Sequence, residues 1–159
     1  MIYSKTCEYA IRALSYIAKK GSEPSVTSTE VSRHTHVPKA YVAKIFQCLV
    51  KADILSSRRG PMGGFALVMA PADLTVLKVI QAVEDPSKSF LSGCVMGLNQ
   101  CENETPCPLH FVWTKTKEAM IKNLLSCTME DIAKVNRKFK TGKHSRYTLS
   151  KKMRKVFKS

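Results

Sequence analysis

Three cysteines, Cys94, Cys101 and Cys107, lie within fourteen residues of the chain, and His110 follows three places later. Glycine, proline and asparagine punctuate this stretch, which has no hydrophobic periodicity and therefore predicts a loop. Thiolates grouped on one loop can converge on a metal ion or an iron-sulfur cluster. The Cys-x6-Cys-x5-Cys-x2-His spacing lacks the tight cysteine pairs of most zinc sites. It therefore favours a cluster, 2Fe-2S or 4Fe-4S, over a structural zinc ion.

The other three cysteines, Cys7, Cys48 and Cys127, fall within apolar patterns of helical spacing, where cysteine usually acts as a small buried hydrophobic residue. No apolar run approaches the ~18 to 20 residues that span a bilayer, and residues 1–5 lack the pattern of a secretion signal. We therefore expect a cytoplasmic protein with reduced thiols and no membrane partner.

The chain of 159 residues carries a net charge of +14, from 26 lysine and arginine residues against 12 aspartate and glutamate residues. Ten of the basic residues and none of the acidic ones lie in residues 137–159, so most of the excess belongs to a C-terminal tail. Such a tail is either solvated or lies along the phosphates of DNA. The smaller excess on the rest of the chain also suits a polyanionic partner.

The elements ahead of the cysteines follow the order of a helix-turn-helix. A helix over residues 4–20 is followed by a capping box from Thr27 to Glu30, which opens a short second helix at Thr27. Pro38 stands in the first turn of a third helix. The apolar stripe of that third helix consists of Val42, Ile45, Phe46, Leu49 and Val50.

A β-hairpin follows the third helix. Strand-like runs over residues 54–58 and 65–68 flank residues 59–64, which are rich in glycine and carry an arginine. Two short helices with a basic outer face, followed by such a hairpin, form a winged helix-turn-helix. The sequence therefore predicts a module that binds double-stranded DNA.

Two further helices flank the cysteine loop. One opens at residues 74–75 and ends before Pro86. The other begins at Pro108, so that Cys107 would cap it, and either extends to Val135 or is followed by a short helix that ends there. Because one side of this long helix is apolar, we expect a homodimer, with packing inside the monomer as the alternative.

Together these elements predict a mainly α fold with a small β wing, in which a winged helix-turn-helix is followed by a long C-terminal dimerisation helix. We assign the chain to a DNA-binding region, a cluster-binding loop, a dimerisation helix region and a basic tail. Their bounds are 1–86, 87–107, 108–136 and 137–159. The four histidines have no nucleophile and acid partner in a recognisable pattern, so the sequence does not predict an enzyme.

Four stretches in order resemble the bacterial winged-helix regulators of the IscR and NsrR type. They are residues 9–14 (YAIRAL), residues 37–42 (VPKAYV), residues 58–67 (RRGPMGGFAL) and the three-cysteine loop. The resemblance covers about residues 1–135. It implies a homodimer whose long helices cross beside an iron-sulfur cluster.

The resemblance also implies roles for individual residues. Cys94, Cys101 and Cys107 would bind the cluster, and the fourth ligand would be His110 or the Glu8 carboxylate of the partner subunit. On DNA, we expect the third helix to approach the major groove, Arg59 of the wing to reach into the minor groove, and Thr27 or Ser28 to contact phosphate. The DNA-contacting residues would be Thr27, Ser28, Lys39, Ala40, Tyr41, Lys44, Arg58 and Arg59.

A transcriptional regulator that senses iron-sulfur status, nitric oxide or redox state through a bound cluster is the function that these features predict. Two rivals remain open. One is a cluster-carrying protein that does not select DNA sequences. The other is a zinc-stabilised interaction module, which would be colourless and would unfold on chelation.

Overall fold

Six helices and one two-stranded sheet form the parts of the chain that the structure describes. The computed structural model describes residues 3–21, 25–60, 63–85, 90–97 and 106–134; Cys101 and the basic tail lie outside them. In chain order the elements are α1 (Lys5–Lys20), α2 (Ser28–Thr35), α3 (Lys39–Lys51), β1 (Leu55–Arg58), β2 (Gly64–Leu67), α4 (Val76–Val83), α5 (His110–Ser126) and α6 (Met129–Lys134). The prediction of a mainly α fold with a small β wing is confirmed. None of these helices is both long and apolar enough to cross a membrane.

Hydroxyl side chains fix the starts of α1, α2 and α4. In each case a backbone N–H of the first turn donates to the residue before the helix, at 3.1–3.2 Å. These bonds run from Cys7 to Ser4, from Glu30 to Thr27 and from Lys78 to Thr75. The capping box is reciprocal, because the Glu30 carboxylate accepts from the backbone N–H of Thr27. The helices therefore begin one residue after the positions that the sequence predicts.

A tight turn joins α2 to α3. His36 adopts a left-handed conformation, with φ 57° and ψ 26°, which ends α2. Val37 is buried, and the carbonyl of Pro38 accepts from the N–H groups of Tyr41 and Val42. Pro38 thus immediately precedes α3 rather than standing in its first turn.

The buried stripe of α3 forms the centre of the hydrophobic core. Four of its five predicted residues are fully buried, and Val50 is half-buried. The Phe46 ring packs against Phe65 of the wing, with ring centroids 4.6 Å apart. The same core receives α1, α4 and α6, so α3 presents its other side to solvent.

The wing is an antiparallel pair in which Leu55 faces Leu67 and Arg58 faces Gly64. Its first strand begins one residue later than predicted, because the N–H of Ile54 bonds to the Leu49 carbonyl at 2.9 Å and completes the end of α3. Phe65 also exchanges two backbone hydrogen bonds with Val26, at 2.8 and 2.9 Å. The wing is therefore attached to the segment that precedes α2.

The long C-terminal helix ends at Ser126, and a separate short helix follows it. Thr128 and Asp131 cap the start of α6 reciprocally, which explains the break. The Met129 N–H donates to the Leu74 carbonyl at 2.8 Å, and the Met129 side chain is fully buried. Consequently α6 returns to the core and packs against α1.

Candidate nucleic-acid interface and cluster loop

The solvent side of α3 carries the four residues predicted to enter the major groove. Lys39, Ala40, Tyr41 and Lys44 are all exposed. Gln47 is exposed one turn beyond Lys44, and sequence reasoning did not single it out although helical spacing would have placed it there. The helix contains basic residues and no acidic one, which suits contact with phosphate-lined grooves.

The tip of the wing presents two arginines. Arg58 ends β1, and both Arg58 and Arg59 are exposed. The N–H of Gly63 bonds to the Gly60 carbonyl at 2.8 Å, which closes a tight turn. A side chain at Gly63 would place its Cβ only 2.5 Å from the Arg58 carbonyl oxygen, so the turn requires glycine. The glycines of this motif therefore shape the turn that carries the arginines.

The start of α2 offers hydroxyl groups beside the helix N-terminus. Thr27 is exposed and Ser28 is half-buried. The Thr27 oxygen accepts from the Glu30 N–H, so its own O–H can still donate to a phosphate. Helix N-termini favour anions for the same electrostatic reason.

A tyrosine of α1 holds this end of α2. The Tyr16 hydroxyl donates to the Glu30 carboxylate at 2.8 Å, and the Lys20 ammonium lies 3.3 Å from the same oxygen. His34 stacks on the Tyr16 ring, with centroids 4.9 Å apart. The bond from Tyr16 lowers the pKa of Glu30, while burial and the bond to Glu30 raise the pKa of Tyr16. This contact ties the helix-turn-helix to α1.

Replacing Tyr16 with phenylalanine is expected to lower the free energy of unfolding by about 1 to 2 kcal/mol at pH 7, because it removes a hydrogen bond to a charged group. Since the bond holds the pKa of Glu30 below its ordinary 4.5, its stabilisation is present above that value and is lost as the pH falls through the lowered pKa. Urea unfolding should therefore separate the two proteins at pH 7 and much less at pH 3. Tyr41→Phe, at an exposed position, is the control and should change stability by less than about 0.5 kcal/mol. An equal loss at both pH values would contradict the assignment.

The cysteine loop is attached to the first turns of α5. The Trp113 Nε1–H donates to the Gly93 carbonyl at 2.9 Å, and Cys94 is the next residue. The Gly97 N–H bonds to the Cys94 carbonyl at 3.0 Å, which turns the chain directly after this cysteine. The Trp113 bond therefore holds Cys94 against the same helix start that Cys107 precedes.

Two of the three predicted cysteine ligands are described, and neither of them is in a disulfide bond. Cys94 and Cys107 are half-buried, and His110 is only 6% exposed. The His110 ring meets the edge of Phe111, with centroids 5.4 Å apart. Within the described residues, which exclude Cys101, no three histidine, cysteine or carboxylate side chains form a metal-sized group.

The start of α5 differs from the prediction. The helix begins at His110 rather than Pro108, and Leu109 takes the capping position without a side-chain hydrogen bond. The His110 N–H instead bonds to the Cys107 carbonyl at 2.9 Å, so residues 107–110 form a turn. The prediction that Cys107 caps a helix opened by Pro108 is therefore wrong. The Cys107 thiol is not committed to capping the helix.

Glu8, the remaining candidate ligand, and two cysteines outside the loop, Cys7 and Cys127, lie in environments that differ from that of the cysteine loop. Glu8 is half-buried and pairs with Lys5 and Arg12 on its own helix. Burial, assisted by the Glu84 carboxylate, raises the pKa of the Cys7 thiol to about 12, so this cysteine stays protonated. Cys127 packs against the core.

Most of α5 projects from the core of the single chain. Only His110 is buried along its length, and Phe111 and Val112 are 67% and 66% exposed. Leu109 and Leu125 add further exposed apolar surface at the two ends of the helix. Large contiguous apolar patches on a surface mark contacts with other proteins, which makes the start of α5 a candidate for such a contact. Towards its end, Leu124 returns to the core.

Comparisons with known proteins agree with this architecture. A family model described as Rrf2, iron-dependent transcriptional regulator, matches residues 3–135. A protein of Aquifex aeolicus, provisionally designated a helix-turn-helix-type transcriptional regulator, is 28% identical over 140 residues, 87% of this chain and 95% of the relative. The regulator IscR of Xenorhabdus nematophila is 28% identical over 126 residues, 79% of this chain and 75% of that protein. The solved structure of CymR, the global cysteine regulator of B. subtilis, has the same fold, with a TM-score of 0.73 at 21% identity over 86% of this chain and 99% of that one.

Proposed function

The chain belongs to the Rrf2 family of iron-dependent transcriptional regulators, and we propose that it is a cytoplasmic homodimer whose iron-sulfur cluster controls its binding to an operator. Its relatives are regulators rather than enzymes, which agrees with the absence of a catalytic pattern in the sequence. The cluster would report on iron-sulfur status, nitric oxide or redox state.

The observation that carries the proposal is the hydrogen bond from Trp113 to the Gly93 carbonyl. It holds the Cys94 segment beside the turn that contains Cys107, and both cysteines are half-buried and outside disulfide bonds. His110 adds a buried imidazole at the start of the same helix. Iron-sulfur clusters are held mainly by cysteine thiolates, and histidine replaces cysteine in some of them, so this donor set fits the group.

We propose that Cys94, Cys101 and Cys107 hold the cluster, with His110 or the Glu8 of a second copy as the fourth ligand. When bound, the cluster supplies a redox-active centre that also reacts with nitric oxide. The turn at residues 107–110 fixes the backbone between the last thiolate and the imidazole. Loss of the cluster would remove this constraint on the loop near the exposed side chains of Phe111 and Val112.

The proposed dimer uses the exposed apolar side chains of α5. Phe111 and Val112 are largely exposed in one chain, and covering them would remove apolar area from water. A second copy placed there would also bring its own helix-turn-helix to the same DNA. Paired reading modules of this kind match operators with two half-sites.

The direct test uses protein purified without oxygen, followed by DNA selection from a random duplex pool. We expect a brown protein with visible absorption and a duplex sequence that it prefers over competitor DNA. Operator affinity measured before and after cluster removal should differ. A colourless protein that unfolds on chelation would favour the zinc-stabilised alternative, and a brown protein without sequence preference would favour the cluster carrier.

Arg59 is expected to read the shape of the minor groove from the wing. Because a guanidinium senses the potential of a narrow groove, Arg59→Ala should reduce operator affinity by about tenfold and flatten the preference at the contacted positions. Arg59→Lys is the matched control, since it keeps the charge without the planar guanidinium. Competition binding against single-position operator variants measures both effects. Unchanged preference in Arg59→Ala would exclude the wing as a reader.

A further inference from the structure

A second aromatic residue supports the tyrosine on the exposed side of α3. The Tyr41 side chain is 51% exposed, so few neighbouring residues restrict it in the free protein. The edge of its ring meets Tyr9 of α1, with centroids 5.7 Å apart and planes at 73°. This is the favourable edge-to-face geometry of aromatic pairs.

Tyr9 is itself fixed from the side of α1. It is half-buried and packs against the hydrophobic core. The Lys5 ammonium lies 5.7 Å from the centre of its ring, and the same ammonium is 2.7 Å from Glu8. The ring of Tyr9 therefore has its position set by α1 and the core before DNA is present.

We propose that Tyr9 is a positioning residue for DNA recognition, which fixes the direction in which the Tyr41 ring leaves α3. A half-exposed side chain loses rotamer freedom when it binds, and a contact that already restricts it reduces this loss. Tyrosine is well suited to such use, because it has two rotatable side-chain bonds and a large contact area. Tyr9 acts through Tyr41 and need not touch DNA. This inference rests on the proposed role of α3 in reading DNA.

A double-mutant cycle tests the inference in the full-length protein. The variants are Tyr9→Leu, Tyr41→Ala and the double variant, and the probe is a duplex selected by the wild type from a random pool. We expect Tyr9→Leu to weaken operator binding by about three- to tenfold, the range for releasing one ordered side chain. In the Tyr41→Ala background the same substitution should have almost no effect.

Two further measurements separate positioning from a general structural role. Affinity for a non-selected duplex, and the salt dependence of binding, should be unchanged in Tyr9→Leu, because phosphate contacts are retained. Tyr9→Phe keeps the ring and should restore operator affinity. If Tyr9→Leu does not fold well, Tyr9→Met serves in the same cycle, because it also removes the ring but has a more flexible side chain that adapts to the space.

Each alternative outcome has a distinct meaning. An equal loss from Tyr9→Leu in both backgrounds, or an equal loss on both duplexes, would overturn the positioning role. So would normal operator binding by Tyr9→Leu while Tyr41→Ala is impaired, and in that case the proposed function would stand. Normal operator binding by Tyr41→Ala would overturn both this inference and the assignment of Tyr41 to the reading face.

Discussion

Replacing Cys101 with alanine is expected to abolish the visible absorption of the protein purified without oxygen, and Cys94→Ala and Cys107→Ala should do the same. Each substitution removes a thiolate from one short loop, and a cluster that loses one of three cysteine ligands is not retained. Iron and sulfide content per chain, measured beside the absorption spectrum, should fall with the colour. We expect an almost complete loss, which is the largest effect predicted for this chain.

The other three cysteines supply matched controls for this experiment. Cys7→Ala, Cys48→Ala and Cys127→Ala should keep the colour, because these residues lie on or beside helices that pack into the fold. The raised pKa of Cys7 also keeps its thiol protonated. Full colour in Cys101→Ala would contradict the assignment of three cysteine ligands.

The same spectra identify the fourth ligand. His110→Ala and Glu8→Ala should differ, since only one of these side chains completes the cluster. The variant with altered absorption or faster cluster loss names the ligand. A change in Glu8→Ala that appears only in the dimer would point to a ligand donated by the partner. Within one chain, Glu8 pairs with Lys5 and Arg12.

Replacing Met129 with alanine is expected to lower the free energy of unfolding by about 2 to 5 kcal/mol, the range for truncating a fully buried large side chain. Met129 is completely buried, and its backbone N–H bonds to Leu74 at 2.8 Å. The loss would be a large share of the ~5 to 15 kcal/mol that stabilises a typical domain. Urea unfolding at one fixed protein concentration measures it.

Met96 provides the control for Met129, because it is the same residue type and is 60% exposed. Met96→Ala should change the free energy of unfolding by less than about 0.5 kcal/mol. Since α6 packs on α1, Met129→Ala should also loosen the support of the helix-turn-helix and weaken DNA binding. A loss below about 1 kcal/mol would show that α6 is not part of the cooperative core.

The local elements of this protein follow from the sequence by itself. The capping box from Thr27 to Glu30, the apolar stripe of α3 and the glycines of the wing each depend on residues close in the chain. Interactions of this range predict helix starts and turns to within about one or two residues. The same holds for the grouping of the cysteines, which is a property of spacing. The resemblance to regulators of the IscR and NsrR type also rested on short stretches of sequence, and the Rrf2 match over residues 3–135 confirms it.

The errors in the bounds of elements arose where short-range backbone hydrogen bonds outweighed the side-chain pattern. Ile54 left the strand because its N–H bonds back to Leu49, and α5 began at His110 because the Cys107 carbonyl closes a turn. The sequence left open whether the long helix continues beyond Ser126 or a separate helix follows. The Thr128 cap and the long-range bond between Met129 and Leu74 produce the separate helix. No periodicity encodes such a pairing.

Which residues touch across the fold was decided only by tertiary structure. Residue spacing does not relate Trp113 to Gly93, Tyr16 to Glu30 or Tyr9 to Tyr41, yet these contacts hold the loop, the start of α2 and the exposed side of α3. The physical reason is that such contacts join elements whose relative placement depends on how the whole core packs. The sequence by itself determined which chemical groups this protein has, and the packing of its helices decided which of them act together.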